Sequence, residues 1–530
     1  MADSARAATA MAPFRVSGDH DRLIVHDPQS ASSYHFAVID IGSNSVRLVV
    51  YDDISRAPFP RFNEKSLCGL GAGLDAHGRL SKASIERTVR AVNRFCVIAR
   101  AMNVDRIDAF ATEATRRAAN GADLVSAILE RSGLHVRVLS GSEEATYSAL
   151  GVVSGFCRPQ GMAGDMGGGS LEIAEILGDR VGERTVSLPL GALPVSAILA
   201  GGLAGAKQRI DDILAQNLPA FAADPVFYAI GGGWRALARI HLAMKNPPIG
   251  IVHGYAIDAK EARAFARTIQ RMTPEALANM PGIPSRRGVT LPAAALVLDR
   301  AIKALKIERV VFSALGLREG WLYAHLSAED RHRDPLIEGA RSLAQSAARV
   351  PAFGDALVRW TALLFQGESA EERRLRIGVC LLSDISWRDH PDTRATESFR
   401  RLLTFPFIGI DSMERAFLAT AVHARYRGKS DDPALESAKT LLTEAQRRRA
   451  GILGRALSLG YRLSGSVPTI LDGARLQTWS GVARLEVADR DSVPDSDAVR
   501  TRLRQFARAA GLNRAEIRVG TSPVIDVFDV

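Results

Sequence analysis

Gly164-Asp165-Met166-Gly167-Gly168-Gly169-Ser170-Leu171-Glu172 decides how the rest of this chain is read. An acidic residue ends an apolar run, three glycines follow, then a hydroxyl and a second carboxylate. Consecutive glycines let backbone N–H groups turn toward an anion with no Cβ in the way. A carboxylate two residues before them can hold the divalent cation that such an anion carries. Alone, this is one Gly-rich turn among many. A second turn of related design adds weight: Phe36 to Asp40 is an apolar run closed by Gly42-Ser43-Asn44-Ser45, and Val46 to Tyr51 is β-rich again. An Asx/Ser-rich hairpin turn is a common use of such a string. Two polar turns, each led by an acidic residue and each joining two strands, suit two lobes gripping one phosphate chain. Neither turn contains the Gly-Lys-Ser/Thr of a P-loop.

Outward from these turns the pattern repeats. After the first come a helix over Ser81–Met102, a strand at Ile107–Ala111, a helix capped by Asn120 and a strand at His135–Leu139. A helix then starts at Ser140, which has capping-box spacing to Glu143. After the second come a return strand at Leu171–Leu177, another Gly-rich turn at Gly231-Gly232-Gly233-Trp234, a strand at Val310–Ser313 and a closing helix. The expected organisation is a flexible tail over 1–33, α/β lobes over 34–157 and 158–330, a helical domain over 331–470 and a small α/β segment over 471–530. A chain of 530 residues is too long for one core.

Composition narrows the partners. Lys and Arg number 68 against 58 Asp and Glu, and a net charge of +10 favours polyanions. Aromatic content is low, which argues against a base-stacking platform. The four cysteines, Cys68, Cys96, Cys157 and Cys380, are scattered, as fits a reducing cytoplasm rather than a zinc ribbon or disulfide framework. The charge-free stretch Thr185–Ala206 is interrupted by Pro189, Pro194, Gly201 and Gly202, so no membrane association is expected from it.

Five stretches in order resemble the motifs of the exopolyphosphatase/guanosine pentaphosphatase (Ppx/GppA) family: Ala37–Ser45, Ala111-Thr112-Glu113-Ala114-Thr115-Arg116, Leu139–Ala145, Asp165–Ser170 and Ser313–Gly320. The resemblance covers about Tyr34 to His325. It implies a duplicated actin/hexokinase (ribonuclease H-like) fold with the site in the cleft between lobes. It also implies release of orthophosphate from the end of inorganic polyphosphate or from guanosine pentaphosphate, with Mg2+ (or Mn2+), in a homodimer joined through the C-terminal region. Specific binding of nucleic acid is not expected.

By motif, Glu144 matches the carboxylate that activates water, and Arg116 the arginine that contacts phosphate. Glu143 is read as the capping residue and Arg117 as a surface residue. A helix N-terminus should lower the pKa of Glu144, while nearby phosphates should raise it. Asp165 is the leading metal candidate, followed by Glu172 and Asp40. Ser43, Asn44, Ser45, Gly167, Gly168, Gly169, Ser170 and Gly232 are expected to line the phosphate path. Arg318 and Glu319 are expected to form a structural pair between lobes.

The helical third loosely resembles an HD-type domain, but Ser383-Asp384, the reversed Asp389-His390 and the isolated His423 do not make its ligand set. Its basic stretches, Arg373-Arg374-Leu375-Arg376 and Arg447-Arg448-Arg449, offer a candidate channel for a long polyanion.

Overall fold

The computed structural model describes residues 35–221, 224–280, 288–429, 431–488, 496–520 and 526–530. The tail expected over 1–33 lies outside them. The apolar runs on either side of the first turn produce β1 (Phe36–Ile41) and β2 (Ser45–Tyr51), antiparallel with Asp40 opposite Arg47. With β3 (Pro60–Leu67), β4 (Arg106–Ala111) and β5 (Val136–Val138) they form a sheet of order β3-β2-β1-β4-β5. The second lobe repeats this plan. Strands β6 (Gln160–Met166), β7 (Leu171–Leu177), β8 (Arg180–Leu188), β9 (Val226–Ile230), β10 (Ala256–Asp258) and β11 (Arg309–Phe312) are ordered β10-β11-β9-β6-β7-β8. In both sheets the hairpin strand that carries the acidic turn lies parallel to the strand after the crossover, β1 with β4 and β6 with β9. The turns therefore emerge at the C-terminal ends of central strands, where open α/β sheets bind ligands.

The two turns share a backbone. Gly42 N donates to Ser45 O at 3.0 Å, and Gly167 N donates to Ser170 O at 3.0 Å. Each spans four residues and begins two residues after its acidic member, so Asp40 and Asp165 occupy equivalent places.

Between α1 (Lys82–Ala101) and the site helices, three elements fix the cleft. They are α2 (Glu113–Arg117), α3 (Gly141–Gly155) and the closing helix, which is preceded by α4 (Ala192–Ala200) and α5 (Gly232–Lys245) and is numbered α6 (Leu317–Ala324). Helices α3 and α6 meet backbone to backbone: a Cβ on Gly151 would overlap the Gly316 carbonyl, and one on Gly320 the Tyr147 carbonyl. Trp321 seals this contact, its ring 5.4 Å from Phe110 and 4.9 Å from Tyr147. A buried cluster including Phe36, Phe110, Ala145, Ala163, Tyr228 and Trp321 joins the inner faces of both lobes. Burial of such aromatics contributes about 2–3 kcal/mol each, so the lobes meet through a packed seam.

Beyond residue 334 the chain is helical through α7 (Pro335–Ala347), α8 (Ala370–Leu382), α9 (Ser412–Arg425) and α10 (Glu444–Ser464). The helical pattern of Leu435–Leu459 is interrupted, because Leu442 is extended and Thr443 caps a new helix with Gln446. The C-terminal sheet of β12 (Ala474–Trp479), β13 (Val482–Val487), β14 (Arg514–Val519) and β15 (Asp526–Asp529), with α11 (Asp497–Ala510), does not stand apart. Leu476, Leu485, Leu503, Phe506 and Ile517 belong to the same buried cluster as Leu336, Leu418 and Leu457.

Candidate active site

The residues singled out at the two turns converge between the lobes. Ser43 is buried on the first turn and Asn44 exposed at its tip. A Cβ on Gly168 would lie 3.2 Å from Ser43 Cβ and 3.5 Å from Asn44 N, so the tips abut. Gly167 and Gly168 in turn accept from Ala192 N and Leu193 N at the start of α4, at 3.1 and 2.8 Å. Gly231, which caps α5, requires its glycine. Its φ is 106°, and a Cβ there would press on Met166 O and approach Asp165 Oδ1. The N-terminus of α5, with Gly232 as its first residue, is thereby held against the second turn.

Glu144 opens α3 and lies on the floor of this junction. Ser140 and Glu143 form the expected capping box, with Ser140 Oγ accepting from Glu143 N at 3.2 Å and Glu143 Oε2 from Ser140 N at 2.8 Å. With the cap supplied by Glu143, Glu144 points inward and is buried. Arg116 Nη1 donates to Glu144 Oε2 at 3.2 Å and to Leu139 O at 2.6 Å. The helix N-terminus does not decide the pKa of Glu144. Burial raises it well above the usual carboxylate range, and the charges of Glu172 and Asp165 add to that, against a lowering by Arg116. Desolvation outweighs a helix terminus when the group is this enclosed.

Asp165 and Glu172 face one another directly across the β6–β7 ladder. Ser148 Oγ donates to Asp165 Oδ2 at 2.7 Å, and Ser187 Oγ donates to Glu172 Oε1 at 2.8 Å. Glu172 is buried, not a solvent-facing strand residue. Its pKa is raised, first by burial and then by Asp165, although the hydroxyls of Ser170 and Ser187 oppose this. Asp165 is raised chiefly by burial as well. Among the described residues neither carboxylate makes a salt bridge. Asp40 differs: Arg318 Nη1 lies 3.0 Å from its Oδ2. The expected Arg318–Glu319 pair is loose at 3.8 Å, and each instead reaches into the first lobe, Arg318 to Asp40 and Glu319 to Tyr51 Oη at 3.1 Å.

Among the described residues no three His, Cys, Asp or Glu side chains are grouped so as to hold a metal ion by themselves. Mg2+ ordinarily takes one or two carboxylates and completes its shell with water and substrate oxygens. Asp165 and Glu172, two neighbouring carboxylates with hydroxyl partners only, fit that requirement. The carboxylate of Asp40 already has its counter-charge.

Sequence reasoning passed over several groups here. Glu113 is buried and accepts from Ser43 Oγ at 2.8 Å, and its other oxygen takes Arg117 Nη1 at 2.8 Å. Arg117 is exposed, as read from the sequence, and is in addition ion-paired to Glu113. Ser148 and Ser187 had no local signal. Ser148 lies a helical turn after Glu144 on the inward face of α3, which was the only available hint.

In the helical domain Asp384 is buried between Arg349 (3.2 Å) and Arg425 (2.8 Å), and His423 Nε2 lies 3.1 Å from Asp432 Oδ2. His390 is exposed. At Arg447 and Arg448, two residues of the basic stretches, the side chains are anchored to backbone. Their guanidinium groups bond the carbonyls of Leu442 and Lys439 and of Ala510. Arg374 is tied to Asp334 and Glu414, and Arg376 and Arg449 to Glu368. Arg374, Arg376 and Arg449 are therefore neutralised by carboxylates, while Arg447 and Arg448 keep their charge.

Two acidic turns at the ends of duplicated sheets, closed over a carboxylate cluster, define a two-lobed actin/hexokinase-like α/β protein with a phosphate-type cleft. The family model of the Ppx/GppA phosphatase family matches residues 34–329, more than half of the chain, and a model described as exopolyphosphatase, C-terminal, matches 336–517. The chain belongs to the Ppx/GppA phosphatase family. It is similar to Exopolyphosphatase 1 of Mycobacterium leprae, with 30% identity over 305 residues covering 55% of this chain and 89% of that protein. Exopolyphosphatase 1 of Mycobacterium tuberculosis strain H37Rv is 29% identical over 309 residues, covering 55% and 88%. A solved Ppx/GppA family member from Aquifex aeolicus has 23% identity, covers 57% of this chain and 99% of that one, and superposes with a TM-score of 0.48. No helix among the described residues is long and apolar enough to cross a membrane.

Proposed function

We propose that this protein is an exopolyphosphatase that hydrolyses the terminal phosphoanhydride of inorganic polyphosphate. The observation that carries the reading is the buried carboxylate Glu144, held by Arg116 beside the unpaired Asp165 and Glu172 at the junction of the two turns. Glu144 takes a proton from water, the water oxygen attacks the terminal phosphorus, and the bridging P–O bond breaks to release orthophosphate and a shortened chain. A raised pKa makes Glu144 a stronger base, which suits water activation near neutral pH. Backbone N–H groups and side-chain donors of Ser43, Asn44, Ser45, Gly168, Gly169, Ser170 and Gly232 position the phosphates, with Gly167 closing the turn, and Arg116 spreads the charge of the transferring group. Asp165 and Glu172 would hold a Mg2+ ion, which would supply charge neutralisation at the phosphate oxygens.

A separate basic surface supports a long chain as substrate. Arg455 and Arg462 are seven residues apart on α10 and share a face. Arg455 donates to Gly428 O at 3.3 Å, which brings Arg427 alongside, and Arg502 approaches from α11. Among the described residues these four make no salt bridge. Burial and the mutual repulsion of these neighbours lower the pKa of Arg502.

The test is phosphate release from long polyphosphate, short polyphosphate and guanosine pentaphosphate, with and without Mg2+, in wild type and Glu144→Gln. The expected result is Mg2+-dependent release, fastest from long polyphosphate, and a loss of about 10²–10⁴-fold in the variant. Comparable activity in Glu144→Gln sinks the assignment of the base. Release from guanosine pentaphosphate alone replaces the substrate. In Arg455→Glu/Arg462→Glu, KM should rise for long chains only, and the difference should shrink as salt increases.

A further inference from the structure

Glu113 touches both jaws of the cleft, and nothing in the mechanism above uses it. It belongs to α2 of the first lobe and is buried. Its Oε2 accepts from Ser43 Oγ on the first turn at 2.8 Å. The same carboxylate lies over the second turn: a Cβ on Gly169 would overlap Oε2 and come within 2.9 Å of Oε1. Arg117 Nη1 holds Oε1 at 2.8 Å from the solvent side. One carboxylate thus sits at the meeting point of Ser43 and Gly169, two of the groups that face a phosphate chain under the proposed function, on which this inference rests.

We propose that Glu113 sets substrate affinity by occupying, as an anion, the place between Ser43 and Gly169 that a phosphoryl group enters. A phosphoryl oxygen and a carboxylate oxygen seek the same donors, and two anions there repel. Entry of phosphate therefore requires Ser43 Oγ to release Glu113. Arg117 sits one helical turn along α2 and keeps the displaced charge paired, so the exchange leaves no bare carboxylate in a closed site. The glycine at 169 is needed for this carboxylate as much as for the phosphate, since any side chain would drive the two apart. Glu113 is a positioning and affinity-determining residue, and no proton or bond passes through it.

The experiment is a cycle of Glu113→Gln, Glu113→Ala, Gly169→Ala and Glu113→Ala/Gly169→Ala in the full-length protein. Steady-state phosphate release and urea unfolding are measured for each. Glu113→Gln keeps an acceptor for Ser43 Oγ but removes the charge. Its KM for polyphosphate should fall about fivefold while kcat changes less than KM, a split that loss of structure does not produce. Gly169→Ala should raise KM about tenfold and lower the urea midpoint, and both effects should shrink at least threefold in the Glu113→Ala background. An unchanged or higher KM in Glu113→Gln overturns the proposal, as does an equal effect of Gly169→Ala in both backgrounds. If wild type releases no phosphate from polyphosphate, the functional reading fails. The urea cycle then reports separately whether Glu113 and Gly169 are in contact, and independent effects there overturn the proposal too.

Discussion

The turn at Asp40–Ser45 and the turn at Asp165–Ser170 have the same length, the same closing hydrogen bond and the same place in their sheets, yet they differ in charge. Asp40 is neutralised by Arg318, which reaches back from α6. Asp165 takes a hydrogen bond from a serine hydroxyl and feels the charge of Arg235 without a direct ion pair, and it stands beside Glu172 and Glu144. Burial raises the pKa of both aspartates, but Arg318 opposes the rise directly at Asp40. A duplicated backbone has thus been given one self-neutralised jaw and one with surplus negative charge. The neutralised jaw ties the lobes together, and the surplus suits a cation brought with substrate.

Breaking the neutral jaw should have the largest effect on stability. Arg318→Met leaves Asp40 enclosed without its partner, and a loss of about 2–4 kcal/mol is expected, since removing one member strands the other. Adding Asp40→Asn should recover part of that loss in urea unfolding followed by the fluorescence of Trp321 at the seam. Asp40→Asn alone should cost less, about 1–2 kcal/mol, because Arg318 keeps Glu319 as a second carboxylate at 3.8 Å.

The charged jaw gives a pH signature. Glu172 has a folded-state pKa above its unfolded value, so its contribution to stability is fully present below about pH 4.3. That contribution is lost as pH rises through the raised folded value. Glu172→Gln should therefore be more stable relative to wild type at pH 8 than at pH 5, without added metal. Urea midpoints at the two pH values check this, and an equal difference at both would contradict it. Ser148→Ala, which removes the hydroxyl from Asp165, should have the smallest effect, about 1 kcal/mol.

Much of this was legible in the sequence because it is local. The hairpin turns, the capping box at Ser140 and Glu143 and the succession of strands and helices along each half follow from short-range chemistry and repeated pattern. Five motif stretches then placed Glu144, Arg116 and Asp165 in one cleft. Pairings across long separations were not legible. Arg318 finds Asp40 and Glu319 finds Tyr51 only after α6 folds back on α3, a contact that depends on Gly151, Gly316 and Gly320. The same holds for Glu113, whose partners Ser43 and Gly169 lie in different lobes. In the helical third, Arg447 and Arg448 read as free charge, but carbonyls at helix ends take up their donors.

The central claim is that the two turns divide the work, with the cation supported by Asp165 and not by Asp40. The most direct measurement is the Mg2+ dependence of phosphate release in Asp165→Asn and Asp40→Asn side by side. The account predicts a half-saturating Mg2+ concentration raised at least tenfold, or no saturation, in Asp165→Asn, and one within about twofold of wild type in Asp40→Asn; one carboxylate ligand is worth that much to a Mg2+ site built from one or two. Equal shifts in both variants, or a larger shift in Asp40→Asn, would contradict it.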